Sequence, residues 1–165
     1  MVKILVTGGC GYIGSHILIE LINAGYEVIS IDDFCNSTPA VLTQIEQITG
    51  QTVINHERNL CYYSQIEPIF ALHQDARAVI HLAALKSVPE SVQNPLLYLE
   101  HNLTALTTVL KCMQRYDIQH IIFSSSCSVY GSLAKQPVTE STTLGAPNSP
   151  YARSKQLCES ILTGL

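Results

Sequence analysis

Thr7-Gly8-Gly9-Cys10-Gly11-Tyr12-Ile13-Gly14 joins a short apolar run, residues 2–7, to a helical pattern over 12–24. A strand, a glycine turn and a helix in that order can receive a pyrophosphate. Glycines let the backbone turn sharply and expose its amides, and the helix start adds partial positive charge. Gly14 lets the helix sit close to the sheet. The spacing from Gly8 to Gly11 to Gly14 is one residue longer than the usual dinucleotide fingerprint. A purely structural turn is the competing reading, and the residues around the loop favour the phosphate.

The second strand, expected over 27–32, closes on Asp32, with Asp33 next. A carboxylate there accepts hydrogen bonds from the adenosine ribose hydroxyls and repels a 2′-phosphate. No Arg or Lys lies nearby, so NAD is favoured over NADP. Asp33 has two readings, cofactor contact or plain loop solvation.

Further strands are expected over 52–56, 77–83 and 118–125. Helices are expected over 38–49, 63–73, 87–116 (bent near Pro95) and 150–163. This alternation predicts an α/β fold with a doubly wound parallel sheet and right-handed crossovers. At 165 residues the chain fits one domain, and 47% hydrophobic against 13% charged residues suits strands covered on both faces. A sixth strand is expected after Leu165. No apolar run approaches a membrane span, and no signal-peptide pattern precedes residue 2. The six cysteines (10, 35, 61, 112, 127 and 158) form no CxxC pair and no Cys/His cluster, so neither a disulfide framework nor a metal site is expected. Free thiols suit a cytoplasmic location. A net charge of −4 without a basic stripe argues against a nucleic-acid partner.

Ser149-Pro150-Tyr151-Ala152-Arg153-Ser154-Lys155 carries the clearest chemical signal. Ser149 suits an N-cap and Pro150 a first helical position. Tyr151 and Lys155 then share one face, one turn apart. A phenol ordinarily titrates near pH 10. One ammonium at about 4 Å, with an effective dielectric near 20, is worth roughly 4 kcal/mol, about three pKa units. That suffices to make a tyrosine a usable base at neutral pH. The serines of Phe123-Ser124-Ser125-Ser126-Cys127-Ser128 stand at the carboxyl end of the fifth strand, where open α/β sheets bind ligands. A hydroxyl there could bond a substrate oxygen, or all of them could cap the strand end. Spacing does not choose among them.

Taken in order, TGGCGYIGSH, Asp32 with Cys35-Asn36-Ser37, AALKSVPESV, FSSSCSVYG and SPYARSK resemble the UDP-glucose 4-epimerases, which are extended short-chain dehydrogenases/reductases. The resemblance covers essentially the whole chain. It implies a Rossmann-like NAD-binding domain over 1–165, truncated before the carboxyl-terminal sugar-binding region. It implies Ser126 as catalytic serine, Tyr151 as base and Lys155 as its partner on the cofactor ribose. It places Gly8, Gly11, Tyr12, Ile13, Gly14, Asp32, Asp33, Asn36, Ser37, Asn59, Leu60, Leu82, Ala83, Ala84 and Lys86 around NAD. The implied reaction interconverts UDP-glucose and UDP-galactose through a transient 4-keto sugar. Lys86 points to the UDP-glucose subgroup. The family usually has Asp at 59 and Asn at 101, where this chain has Asn59 and His101. An amide oxygen can still accept from the adenine amine, so weaker binding is expected.

A nucleotide-sugar 4,6-dehydratase shares the fold and the Tyr–Lys pair but needs an acid/base pair after the serine. Cys127 and Ser128 stand there instead. A third reading is a cofactor-binding module without turnover, or one half of a split enzyme. The expected protein partner is then a second copy or a chain carrying the missing half. These 165 residues alone are expected to show little or no turnover, and an uncovered fifth strand would favour association.

Overall fold

The apolar, branched-rich runs form one parallel sheet. The structure, a computed structural model, describes residues 1–132 and 137–164. Strands β1 (Lys3–Thr7), β2 (Glu27–Ile31), β3 (Ile54–His56), β4 (Ala78–His81) and β5 (His120–Phe123) stand in the order β3-β2-β1-β4-β5. Every pair is parallel, with Leu5 opposite both Ile29 and Val79. The order reverses at β1, so the crest above the carboxyl ends of β1 and β4 is the switch point where such sheets bind ligands. Among the described residues, α1 (Tyr12–Asn23), α2 (Ala40–Thr49), α3 (Tyr63–Leu72), α4 (Val88–Gln93) and α5 (Pro95–Arg115) stand between strands, and α6 (Pro150–Thr163) follows β5.

Each strand and helix expected within residues 1–165 is present, and the strands are shorter than expected. At the crest the ladder ends in single bonds, from Leu82 N–H to the Thr7 carbonyl and from Ser124 N–H to the His81 carbonyl. The chain leaves the sheet there to build loops. The stretch 87–116 is two helices. Proline disfavours a helical conformation in the residue before it, and Asn94 sits at φ −128°, ψ 63°. A 3₁₀ turn over Cys127–Tyr130 was not expected.

The chain divides into two compact units, Met1–Ala83 with Thr107–Ser124, and Ala84–Leu106 with Ser125–Leu165. In the first, Ile4, Val6, Val28 and Ile80 of the sheet pack with Leu18, Ile22 and Ile45 of α1 and α2. Alternate residues Leu5, Ile29 and Val79 bury on the opposite face. β5 is an edge, with Ile122 61% exposed. Among the described residues, no helix is long and apolar enough to cross a membrane, and no three metal-ligating side chains converge.

In the second unit Tyr98 is fully buried. Its hydroxyl donates to Glu90 Oε2 at 2.6 Å and accepts from Ser87 N–H at 3.1 Å, tying the start of α4 to α5. Removing that hydroxyl leaves both groups without this partner. Tyr98→Phe is expected to cost about 1–2 kcal/mol in urea unfolding, and a loss within error of zero would contradict this role.

Candidate functional site

At Gly8, Gly9 and Gly14 the glycine loop is packed too closely to admit a side chain. Gly8 has φ +71°, and a Cβ there would stand 2.7 Å from the Ala83 nitrogen. A Cβ at Gly14 would run into the Gly8 carbonyl oxygen, which is how closely α1 meets the loop. Gly11 is the N-cap of α1 and offers no side chain to it, so the first-turn amides of Tyr12, Ile13 and Gly14 have no capping oxygen. Tyr12 and Ile13 are exposed beside the loop.

Asp32 fastens this loop to the end of β2. Its Oδ2 accepts from Cys10 N–H at 3.0 Å, and its Oδ1 accepts from Phe34 N–H at 2.9 Å and from the Ser37 hydroxyl at 3.1 Å. Phe34 takes the left-handed conformation, φ +58°, that folds the 32–37 turn back onto the carboxylate. Asn36 is exposed on that turn. From the β3 side, Asn55 Nδ2 donates to the Asp32 carbonyl at 3.1 Å. Asp33 accepts from Cys35 N–H at 3.1 Å and from Asn59 Nδ2 at 3.0 Å. Leu60 beside Asn59 is buried. Below the loop, Thr7 Oγ1 meets His81 Nδ1 at 2.7 Å and lies 3.4 Å from the Ala83 amide. The first unit thus gathers Gly8–Gly14, Asp32–Ser37, Asn59–Leu60 and Leu82–Ala83.

The remaining predicted site residues, Ala84, Lys86, Ser126, Tyr151 and Lys155, belong to the second unit. Ser149 caps α6, its hydroxyl accepting from Ala152 N–H at 3.1 Å, and Pro150 opens the helix as expected. Tyr151 is half-buried one turn ahead of Lys155. The three serines have different partners. Ser125 donates to Glu159 of α6. Ser126 Oγ caps the 3₁₀ turn, accepting from Ser128 N–H at 3.2 Å and the Ser128 hydroxyl at 2.8 Å. With both bonds received, the Ser126 proton is the one left to give to another acceptor. Cys127 is exposed.

A family model described as the NAD dependent epimerase/dehydratase family matches residues 4–165. The chain belongs to this family. It is 43% identical to the UDP-glucose 4-epimerase of Bacillus subtilis, over 98% of this chain and 47% of that protein. It is 39% identical to the mouse UDP-glucose 4-epimerase, over 100% and 49%. Its structure is similar to that of the Bifidobacterium longum UDP-glucose 4-epimerase in complex with NAD+ and UDP, with TM-score 0.95 and 42% identity over 99% of this chain and 48% of that one. The Thermus thermophilus enzyme complexed with NAD gives TM-score 0.89 and 31% identity, over 99% and 50%. The chain therefore spans about half the length of the relatives it matches.

Within this epimerase-family frame, the sequence reading missed Asn102. Its Oδ1 accepts from Leu85 N–H at 2.9 Å, while its Nδ2 donates to the Leu85 carbonyl at 3.0 Å and to Ser154 Oγ at 3.0 Å. Ser154 in turn donates to the Tyr151 carbonyl at 2.7 Å. One buried amide thus ties the loop segment next to Lys86 to the helix of Tyr151 and Lys155. The signal was a lone amide among the apolar residues of α5, next to His101. Glu159, the partner of Ser125, was missed because a glutamate near a helix end has no local mark of that contact.

Lys155 is only 4% exposed, and burial pushes its ammonium down to about 8, with Cys158 and Glu159 opposing the shift. At pH 7 the charged form still prevails by roughly tenfold. The folded value lies below the ordinary 10.5. Below pH 8 both folded and unfolded chains hold the proton and the burial cost is full. Between about 8 and 10.5 only the unfolded chain holds it, so stability rises with pH across that window. The gain relative to Lys155→Met is expected to reach about 3 kcal/mol, read by urea unfolding at pH 7.5 and 10.5. Parallel behaviour of the two proteins would contradict the burial of this charge.

Proposed function

We propose that residues 1–165 form the NAD-binding half of a UDP-glucose 4-epimerase. The observation that carries this reading is the Asp32-fastened glycine loop in a chain 43% identical to such an enzyme. The loop suits a dinucleotide. Gly8, Gly9 and Gly14 leave no room for a Cβ, the first-turn amides have no side-chain cap, and an acid closes β2. Gly8, Gly11, Tyr12, Ile13 and Gly14 would hold the pyrophosphate. Asp32, Asn36 and Ser37 would hold the adenosine ribose. Asn59 and Leu60 would flank the adenine, and Leu82, Ala83, Ala84 and Lys86 would line the path toward the nicotinamide. When bound, NAD supplies reversible hydride acceptance from C4 of the sugar.

This chain's own residues move the proton. Tyr151 takes it from the sugar 4-hydroxyl as the keto sugar forms, and returns it to the same oxygen when hydride comes back on the opposite face. Ser126 donates its remaining proton to that oxygen and holds it in place. Lys155 steadies the tyrosine oxygen and bonds the cofactor ribose. UDP-glucose and UDP-galactose are the proposed substrates. Cys127 and Ser128 stand where a dehydratase needs carboxylic acids, which disfavours water elimination.

A second reading is a module without turnover, or half of a split enzyme. In the absence of a sugar-binding region, the nucleotide-binding energy that supports turnover would be missing. Incubating this chain with NAD and UDP-galactose in a coupled assay is expected to give no steady turnover, and clear turnover would overturn the half-enzyme reading. In a form joined to the remaining half, Tyr151→Phe is expected to lower turnover at least about 100-fold. Near-native activity would remove Tyr151 from the role of base.

A further inference from the structure

The family places Asp at 59, and this chain's Asn59 looks at first like a loss. Its hydrogen bonds give it a different part. The Asn59 side chain has one orientation that satisfies both neighbours: Oδ1 accepts from Cys61 N–H at 2.9 Å, and Nδ2 donates to Asp33 Oδ2 at 3.0 Å. The other Asp33 oxygen accepts from Cys35 N–H at 3.1 Å. The relay runs from the turn after β3, through an amide and a carboxylate, into the turn after β2. These are the two turns proposed to flank the adenosine. An aspartate at 59 cannot donate to Asp33. It would set two carboxylates about 3 Å apart, where one must take up a proton or swing away.

We infer that Asp33 and Asn59 form one positioning unit for the adenosine end of the cofactor site, with the single carboxylate on Asp33 and its amide partner on 59. Neither residue is assigned a catalytic part. The unit sets the separation of the two turns, and its residues are exchangeable as a pair but not singly. The inference rests on the proposed NAD site, while the relay can be measured without the cofactor.

The experiment is a double-mutant cycle on the full 165-residue chain: N59D, D33N and D33N/N59D. NAD affinity is measured by calorimetry at pH 8 and pH 6, and thermal unfolding is measured without NAD. N59D is expected to weaken NAD at least about tenfold at pH 8, with part of the loss recovered at pH 6 as the facing carboxylates share a proton. D33N/N59D is expected to bind within about threefold of the original chain. Binding by N59D as tight as the original, or a double variant as weak as N59D, overturns the inference. If the original chain binds no NAD, the cofactor reading fails, and the unfolding midpoints then decide the relay. A midpoint lowered in N59D and restored in D33N/N59D supports it; additive losses overturn it.

Discussion

One carboxylate at the end of β2 sets the geometry above the sheet. Asp32 receives an amide from the glycine loop, an amide from its own turn and a hydroxyl from Ser37. Hydrogen bonds to a carboxylate are stronger than neutral ones and fix direction as well as distance. They act with the Gly8 N–H bond to the Ile31 carbonyl at 2.9 Å and the contact of Cys10 Sγ with Ser30 Oγ at 3.8 Å, which also hold the loop against β2. With them, the start of α1 and the end of β2 become one surface. The carboxylate that orders this surface is also the one proposed to reject a 2′-phosphate.

The features legible in the sequence were local. The glycine spacing, the acid after an apolar strand, and the Ser149-Pro150 helix start each depend on neighbours within a few residues, and each takes the expected form. Pro95 broke its helix for an equally local reason. What could not be read were the long-range polar ties. Thr7 meets His81, Asn102 clamps Leu85 and reaches Ser154, and Ser125 reaches Glu159. Such partners lie tens of residues away and leave no periodic trace. The choice among the serines was undecidable by spacing for the same reason. It becomes a question of geometry once Ser125 is seen to be held by Glu159 and Ser126 by Ser128. Asn59 was read by its atom types alone, while its partner Asp33 determines which way the amide points.

Lys155 shows the opposite relation between function and stability. Burying an ammonium is unfavourable, and the depressed value of about 8 measures that cost in the folded chain. A surface position on α6 would avoid it. The buried position places the charge in a low-dielectric setting. Asn102 and Ser154 hold the same helix against the 84–87 segment, so the charged face is presented by a fixed scaffold. Stability is surrendered where acid–base work is proposed, and recovered in the apolar sheet.

The central claim is that the Asp32-fastened loop is a site for NAD and not for NADP. Calorimetric titration of the chain with each dinucleotide tests it most directly. The account predicts saturable binding of NAD and binding of NADP weaker by at least about 30-fold, the effect of a 2′-phosphate facing a carboxylate. Equal affinity for the two, or preference for NADP, would contradict it.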